Sequence, residues 1–391
     1  MNPKELKTRL DTLAVFRSFL QDPVFVALKK TLEAPSPDRY AAFVSLLYEA
    51  NGGDLGDYIR QMCENSENCY VRRVGAGETV PKHLQESLSE ELSTLQAVAD
   101  LTPEQLQRSL SEAAFLPSFR SGGVDVEKEY LHRTENIGKY GYGIYAKHRM
   151  FYLSETGQII PVRSPDPVTL DSLVDYETQR KAVLDNTKAL LAGRPAANLL
   201  LTGDAGTGKS STIKAVVNAL YGEGLRIIEV RKDQLRSIPR LLDELAKNPL
   251  KFILFIDDLS FLKDDDNFNA LKAVLEGSVS AKTANVVIYA TGNRRHLIKE
   301  SFSDREGDEI HRNDTIQELI SLSERFGLQI TFSKPDKKTY LHIVQHLAAE
   351  AGLETDPVSL AQSAERFALE RGGRSARVAR QFIDGLLAKE N

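Results

Sequence analysis

The sequence predicts an α/β protein whose central region carries a phosphate-binding loop. Strand-like apolar segments alternate with helix-like segments through the middle of the 391-residue chain, which is typical of a parallel sheet covered by helices on both faces. Residues 203–210 read Gly-Asp-Ala-Gly-Thr-Gly-Lys-Ser, the pattern of a phosphate-binding loop (P-loop). The apolar segment 252–256 is followed directly by Asp257 and Asp258. Together these observations predict a nucleotide-binding α/β core.

The region before this core is predicted to be mostly helical over residues 1–120. Apolar periodicity indicates helices in the segments 13–24, 40–48 and 84–95, and Thr102 is placed to begin another helix. This pattern predicts a helical domain at the start of the chain.

A small β element is predicted at the end of that domain. The segments 140–145, 150–153 and 158–162 are short and rich in aromatic or branched residues, which indicates a β-hairpin followed by a third strand. Prolines then mark a linker. We therefore predict an N-terminal domain at residues 1–165.

The core is predicted at residues 166–334 as a five-stranded parallel sheet flanked by helices. The strands are expected at 198–202, 226–230, 252–256, 286–291 and 328–332, and the helices at 209–221, 233–247 and 268–276. The last segment carries three amphipathic helical patterns and no strand pattern, which predicts a helical lid at residues 335–391.

The P-loop follows an apolar strand and opens a helix, the context that such a loop requires. Its glycines let backbone N–H groups surround phosphates, Lys209 reaches the β- and γ-phosphates as a catalytic cation, and the Ser210 hydroxyl is a ligand for Mg²⁺. ATP and Mg²⁺ are the predicted cofactors. The expected nucleotide contacts in the loop are Gly203, Asp204, Ala205, Gly206, Thr207, Gly208, Lys209, Ser210 and Ser211.

Two acids at the end of the buried strand 252–256 complete the predicted metal site. Asp257 is expected to hold Mg²⁺, and Asp258 lies where a general base polarises the attacking water. Adjacent carboxylates at the end of a buried strand are not typical of a solvated surface, so we interpret both as functional.

The pattern of these residues resembles the AAA+ superfamily of ATPases. By this resemblance, Asn293 is a sensor that orients the attacking water, although an Asn that caps a strand end would look the same. Arg325 is an arginine finger that reaches a neighbouring subunit, although an Arg also suits a helix C-terminus. Arg377 of the lid contacts the phosphates, with Arg374 as the second candidate, and a basic helix face without a ligand is the alternative.

The resemblance to this superfamily spans residues 166–389. More narrowly, the segments 257–261, 293–297 and 372–377, together with the run 166–174, resemble an uncharacterised bacterial AAA+ family catalogued only as a domain of unknown function. The resemblance implies that Leu173 and Val174, before the P-loop, contact adenine, although packing alone would explain them. Asp257-Asp258 departs from the Asp-Glu of most AAA+ proteins, and the shorter second side chain predicts slow, switch-like hydrolysis.

The predicted function is an ATPase that works as an oligomer, in a ring or open ring, and acts on an unknown protein partner through its N-terminal domain. A helicase-loader-like ATPase acting on DNA and a nucleotide-binding scaffold with little hydrolysis stay open. The charged segment 299–313 is interpreted as a solvated loop or a partner contact.

Composition limits the other classes of protein. A net charge of −5 and 27% charged residues are ordinary for a globular protein, and no apolar run long enough for a transmembrane helix or a secretory signal is present. Only Cys63 and Cys69 occur, too few for a zinc site, so free thiols and a cytoplasmic location are expected.

Overall fold

The computed structural model describes residues 2–108, 110, 115–259, 266–276, 284–292 and 324–390. The predicted sensor Asn293 and the segment 299–313 lie outside the described residues. The chain divides into two compact units, Met1–Lys147 and His148–Asn391.

The first unit is helical, as predicted. Its helices are α1 (Pro3–Asp11), α2 (Pro23–Glu33), α3 (Pro37–Asn51), α4 (Leu55–Glu64), α5 (Cys69–Gly75), α6 (Lys82–Ala99), α7 (Pro103–Gln107), α8 (Val126–Glu135), α9 (Ile137–Tyr140) and α10 (Ile144–Lys147). The helix predicted across 13–24 is wrong, because Asp22 caps α2 and Pro23 occupies its first turn. The start at Thr102 is confirmed, and its side chain forms a capping box with Gln105.

The strand predicted at 140–145 is also wrong. This segment ends α9 and begins α10, and the turn between them contains Gly141 and Gly143 at positive φ values of 69° and 60°. Glycines with positive φ interrupt a regular strand. Cys63 of this unit is buried and Cys69 is exposed, both as free thiols, and burial raises the pKa of the Cys63 thiol.

Among the described residues, the second unit contains one seven-stranded sheet, so the prediction of five strands is wrong by two. The strands are β1 (Met150–Leu153), β2 (Ile159–Pro161), β3 (Leu199–Gly203), β4 (Leu225–Glu229), β5 (Lys251–Ile256), β6 (Val286–Gly292) and β7 (Leu328–Phe332). They lie in the order β2-β1-β4-β5-β6-β3-β7. The five predicted core strands are all present, and every pair except β1–β2 is parallel.

The two additional strands are those predicted at 150–153 and 158–162. β1 pairs in parallel with β4, with Phe151 opposite Ile228, so the hairpin extends the edge of the core sheet. An exposed edge of β4 offers unpaired backbone groups to any extended segment, which explains why the hairpin joins it. This hairpin therefore belongs to the second unit, whereas the predicted N-terminal domain extended to residue 165.

Helices cover this sheet because its strands are apolar on both faces. They are α11 (Glu177–Leu191), α12 (Lys209–Leu220), α13 (Ile238–Leu245) and α14 (Asp266–Glu276). Leu199 and Leu201 pack in one apolar cluster with α11 and α12, while Leu200 between them is also buried. Alternate side chains of a strand point to opposite faces, so both faces of β3 are covered.

The lid consists of α15 (Lys337–Glu350), α16 (Pro357–Glu370) and α17 (Ala376–Glu390), the three helices predicted there. Tyr340, Ile343, Ala364 and Ile383 are among the buried residues of its own apolar core. Among the helices in the described ranges, none is both long and apolar enough to cross a membrane.

Candidate active site

The P-loop connects β3 to α12 through three glycines with positive φ. Gly203, Gly206 and Gly208 have φ values of 143°, 77° and 89°. A Cβ atom added to Gly203 would lie 1.9 Å from the carbonyl oxygen of Phe332 on β7. Glycine is therefore required where the loop leaves the sheet. The buried Thr207 closes the loop by donating its hydroxyl to the carbonyl of Asp204 at 2.9 Å.

Lys209 lies over this loop at the start of α12. Its ammonium group donates to the carbonyls of Gly203 and Asp204 at 3.0 and 2.7 Å. Burial lowers the pKa of Lys209, and the carboxylates of Asp204, Asp257 and Asp258 oppose that shift. A cation beside the backbone N–H groups of a helix start forms a site suited to phosphate.

Asp257 and Asp258 directly follow β5. In the sheet, β6 lies between β5 and β3, the strand that leads into the P-loop. The Ser210 hydroxyl donates to Oδ1 of Asp257 at 2.7 Å. This contact brings together the two predicted metal ligands. A hydroxyl and a carboxylate are oxygen donors of the kind that Mg²⁺ binds, and so few protein ligands suit an ion that keeps several waters. The residues present therefore fit Mg²⁺.

Asp258 has a backbone conformation that is uncommon for a residue other than glycine, with φ of 51°. Its N–H donates to Oδ1 of Asp257 at 3.1 Å and to the hydroxyl of Thr291 at 2.9 Å. The Thr291 hydroxyl in turn donates to Oδ1 of Asp257 at 2.5 Å. Thr291 was not among the residues predicted from the sequence. Its position near the end of a strand beside β5 was the signal that could have identified it.

The segment 166–176 runs along the same cavity before the P-loop. Asn218 of α12 donates to the carbonyls of Asp166 and Val168 at 2.9 and 2.7 Å. Arg180 of α11 donates to the carbonyls of Leu170 and Leu173 at 2.8 and 2.5 Å. These contacts hold the backbone of the segment against the core. No sequence motif pointed to either side chain, because each binds backbone atoms.

The lid closes one side of the cavity directly over the P-loop. The N–H of Arg377 donates to the carbonyl of Gly206 at 3.2 Å, and a Cβ added to Gly206 would lie 3.0 Å from both the Cβ of Arg377 and the Oγ of Ser375. Arg374, the second candidate, makes a bidentate ion pair with Glu365 inside the lid, at 2.8 and 2.7 Å.

The resulting cavity has a volume of ≈980 Å³. The predicted residues that line it are Leu173, Val174, Ala205, Gly206, Thr207, Gly208, Lys209, Ser210, Ser211, Asp257, Asp258 and Arg377. Predicted residues from four separate parts of the sequence thus meet at one cavity. In the described parts of the chain, no group of three or more His, Cys, Asp or Glu residues forms a further metal site.

Arg325, the predicted finger, does not line this cavity. Its Nε and Nη2 lie 2.8 and 2.5 Å from Oε1 of Glu276, at the end of α14. The arginine is therefore paired within its own chain. Asn293, outside the described residues, stays a prediction.

Comparison with known proteins gives one family and several partial structural likenesses. Residues 146–390, more than half of the chain, match the family described as "Protein of unknown function (DUF815)". This match confirms the predicted resemblance to an uncharacterised family. No curated protein matches the sequence.

Solved structures resemble part of the fold. The RuvB Holliday junction branch migration motor of Thermotoga maritima is 19% identical with a TM-score of 0.37, over 55% of this chain and 62% of that chain. A structure described as the structural basis for katanin self-assembly is 16% identical with a TM-score of 0.35, over 55% of this chain and 69% of that chain. The match spans less than two thirds of the RuvB chain.

Proposed function

We propose that this chain, which belongs to the DUF815 family of unknown function, is a Mg²⁺-dependent ATPase of the AAA+ type that works slowly, as an oligomeric nucleotide switch. The observation that carries the proposal is the contact of 2.7 Å between Ser210 on the P-loop helix and Asp257 after β5. It joins a phosphate site and a carboxylate site that lie 47 residues apart in the sequence.

The predicted residues of the cavity have distinct roles in this proposal. Lys209 and the P-loop N–H groups bind the phosphates, while Ser210 and Asp257 hold Mg²⁺, which would neutralise charge that develops on the phosphates. Asp258 orients and deprotonates the attacking water. Arg377 contacts the phosphates from the lid.

Leu173 and Val174 are proposed to contact the adenine ring. Both line the cavity, and Val174 also packs against the core of the lid. The carbonyl of Leu173 is fixed by Arg180, which supports a preformed wall for the base. Slow turnover follows from Asp258, whose side chain is one C–C bond shorter than glutamate, so it holds the base farther from the water.

The oligomer is proposed because the arginines that line the cavity, among the described residues, are Arg180 and the lid residues Arg377 and Arg380. Arg180 is committed to the carbonyls of Leu170 and Leu173, so the described core of the same chain offers no other arginine to the phosphates there.

Arg325 would supply such an arginine to the cavity of a neighbouring subunit. In the single chain the guanidinium pairs with Glu276. Assembly would then exchange this intramolecular pair for a phosphate contact in the adjoining site.

The test is steady-state ATP turnover of the native chain and of Lys209→Ala, Arg325→Ala and Arg366→Ala. Lys209→Ala and Arg325→Ala should each lower kcat by about a thousandfold or to background. Arg366→Ala is the matched control, because it removes a lid arginine whose side chain is 85% exposed. This variant should leave the rate unchanged.

Mixing separates a finger that acts between subunits from one that acts within a chain. Lys209→Ala subunits retain Arg325, and Arg325→Ala subunits retain the P-loop. An equimolar mixture should regain part of the native rate, with the mass of an oligomer in the presence of ATP. If the native chain does not turn over ATP, the proposed ATPase activity is refuted. A mixture that stays inactive, or a chain that stays monomeric with ATP, would refute the role given to Arg325.

The first unit is proposed to recruit a protein partner in a nucleotide-dependent way. It has an apolar core of its own, separate from that of the second unit. An Asp258→Asn variant would trap the ATP state, so a pull-down with ATP should retain a partner that the same variant with ADP releases. Identical retention in both states would count against a switch.

A further inference from the structure

Three donors converge on one carboxylate oxygen beside the P-loop. Oδ1 of Asp257 accepts from the hydroxyls of Ser210 and Thr291, at 2.7 and 2.5 Å, and from the N–H of Asp258 at 3.1 Å. Hydrogen bonds to a charged carboxylate are stronger than those between neutral groups. The position of this oxygen is therefore set by its partners.

Of these donors, the Thr291 hydroxyl is engaged in both directions. It donates to Asp257 and accepts the N–H of Asp258 at 2.9 Å. The residue is 2% exposed, so water does not compete for either bond. Its backbone carbonyl also accepts the N–H of Leu259 at 2.7 Å. Thr291 thus binds three consecutive residues after β5.

The strand order explains why Thr291 can do this. β6 lies between β5 and β3, and Ile256 at the end of β5 pairs with Ala290. Asp257 follows Ile256 directly, and Thr291 follows Ala290 directly. Parallel neighbours end at the same edge of the sheet, so the Thr291 side chain meets the carboxylate there.

The backbone conformation of Asp258 indicates what the hydrogen bond from its N–H to Thr291 stabilises. A residue other than glycine with φ of 51° is strained, and surrounding contacts must hold it. The hydroxyl of Thr291 binds the N–H of that same residue. Strained residues that neighbouring groups hold in place are found preferentially at functional sites.

We propose that Thr291 is a positioning residue, which fixes the Asp257 carboxylate and the Asp258 backbone as one unit. The inference rests on the proposed function, because it assigns Asp257 to Mg²⁺ and Asp258 to the attacking water. If the Ser210 hydroxyl turned toward a bound Mg²⁺, Thr291 and the Asp258 N–H would still hold Oδ1. The metal ligand and the base then keep their geometry relative to the P-loop.

Replacing Thr291 by valine keeps the shape of the side chain and removes the hydroxyl. Binding of ATP in the absence of Mg²⁺ should be unchanged, because the P-loop contacts are intact. The Mg²⁺ concentration for half-maximal turnover should rise, and kcat should fall by about tenfold or more with little change in KM, since small displacements of catalytic groups slow chemistry strongly. Thr291→Ser restores a hydroxyl and should recover most of the native rate.

Thr331→Val is the matched control for this change. It removes a threonine hydroxyl from β7 of the same sheet, where its partner is the hydroxyl of Thr202 at 3.2 Å. This variant should share any general loss of thermal stability and keep the native kcat and Mg²⁺ dependence. If Thr291→Val does not fold, Thr291→Ala is compared with Thr291→Ser by the same measurements.

The outcomes separate this inference from the proposed function. If the native chain does not hydrolyse ATP, the proposed function is refuted, and the inference about Thr291 loses its premise. An active native chain with unchanged kcat and Mg²⁺ dependence in Thr291→Val overturns the positioning role alone. Loss of thermal stability without a kinetic change, in Thr291→Val and Thr331→Val alike, overturns it as well.

Discussion

The two lid arginines provide a sharp test, because the structure gives them different partners. Arg374 forms a bidentate ion pair with Glu365. The Arg374 side chain is 35% exposed and the Glu365 side chain is 17% exposed. Water screens a pair with this exposure, so its loss should cost about 1 kcal/mol. For a unit of this size, Arg374→Ala should therefore lower Tm by about 2–4 °C.

Arg377 lines the cavity instead, and its backbone is bonded to the P-loop. Losing hydrogen bonds between its guanidinium and a phosphate should cost about 1.5–3 kcal/mol. This corresponds to a Kd for ATP that is higher by about ten- to 150-fold. Arg377→Ala should leave Tm of the nucleotide-free protein within about 1 °C, as for most surface substitutions.

The assay is a fluorescence titration of each variant with labelled ATP and Mg²⁺, beside a thermal melt without nucleotide. The two substitutions remove the same charge three residues apart, so each is the control for the other. An Arg374→Ala variant that weakens ATP binding tenfold, beside an Arg377→Ala variant that does not, would refute the assignment of the phosphate contact.

Three further changes test other parts of the molecule. Gly206→Ala should weaken ATP binding about tenfold or more in the same titration, because a Cβ at φ of 77° is strained and displaces Arg377. Glu91→Ala should lower the free energy of unfolding by about 3 kcal/mol in urea, because this buried carboxylate accepts backbone N–H groups of residues 14–16. Arg374 lowers the pKa of Glu365, so the pair stabilises the fold above pH 4.5 and this contribution is lost as pH falls through the lowered pKa. Glu365→Gln should remove that acid dependence from Tm measured between about pH 6 and 3.

Much of the second unit was predictable because its patterns are local. Each of the five core strands is a short apolar segment, and the P-loop requires glycines at fixed spacing before Lys209. Two errors arose where an apolar or aromatic pattern continued across residues that break a regular element. Asp22 and Pro23 start a new helix within the segment 13–24. The aromatic segment 140–145 resembles a strand, but its glycines turn the chain.

The hairpin that forms pairs the strands predicted at 150–153 and 158–162 instead of those predicted at 140–145 and 150–153. Only the free edge of β4 decided which sheet this hairpin joined.

The same division holds within the candidate site. By itself the sequence determined that glycines give the P-loop its backbone freedom and that Lys209, Asp257 and Asp258 carry the charge of the site. Each of these features is specified by the spacing of residues within one short segment.

The tertiary structure decided that Arg377 lines the cavity and Arg374 does not. It also decided that Arg325 pairs with Glu276 and that Thr291 contacts Asp257. Each of these contacts depends on the strand order and on helix packing, which place residues together that lie dozens of positions apart. No single segment of the sequence encodes such a meeting.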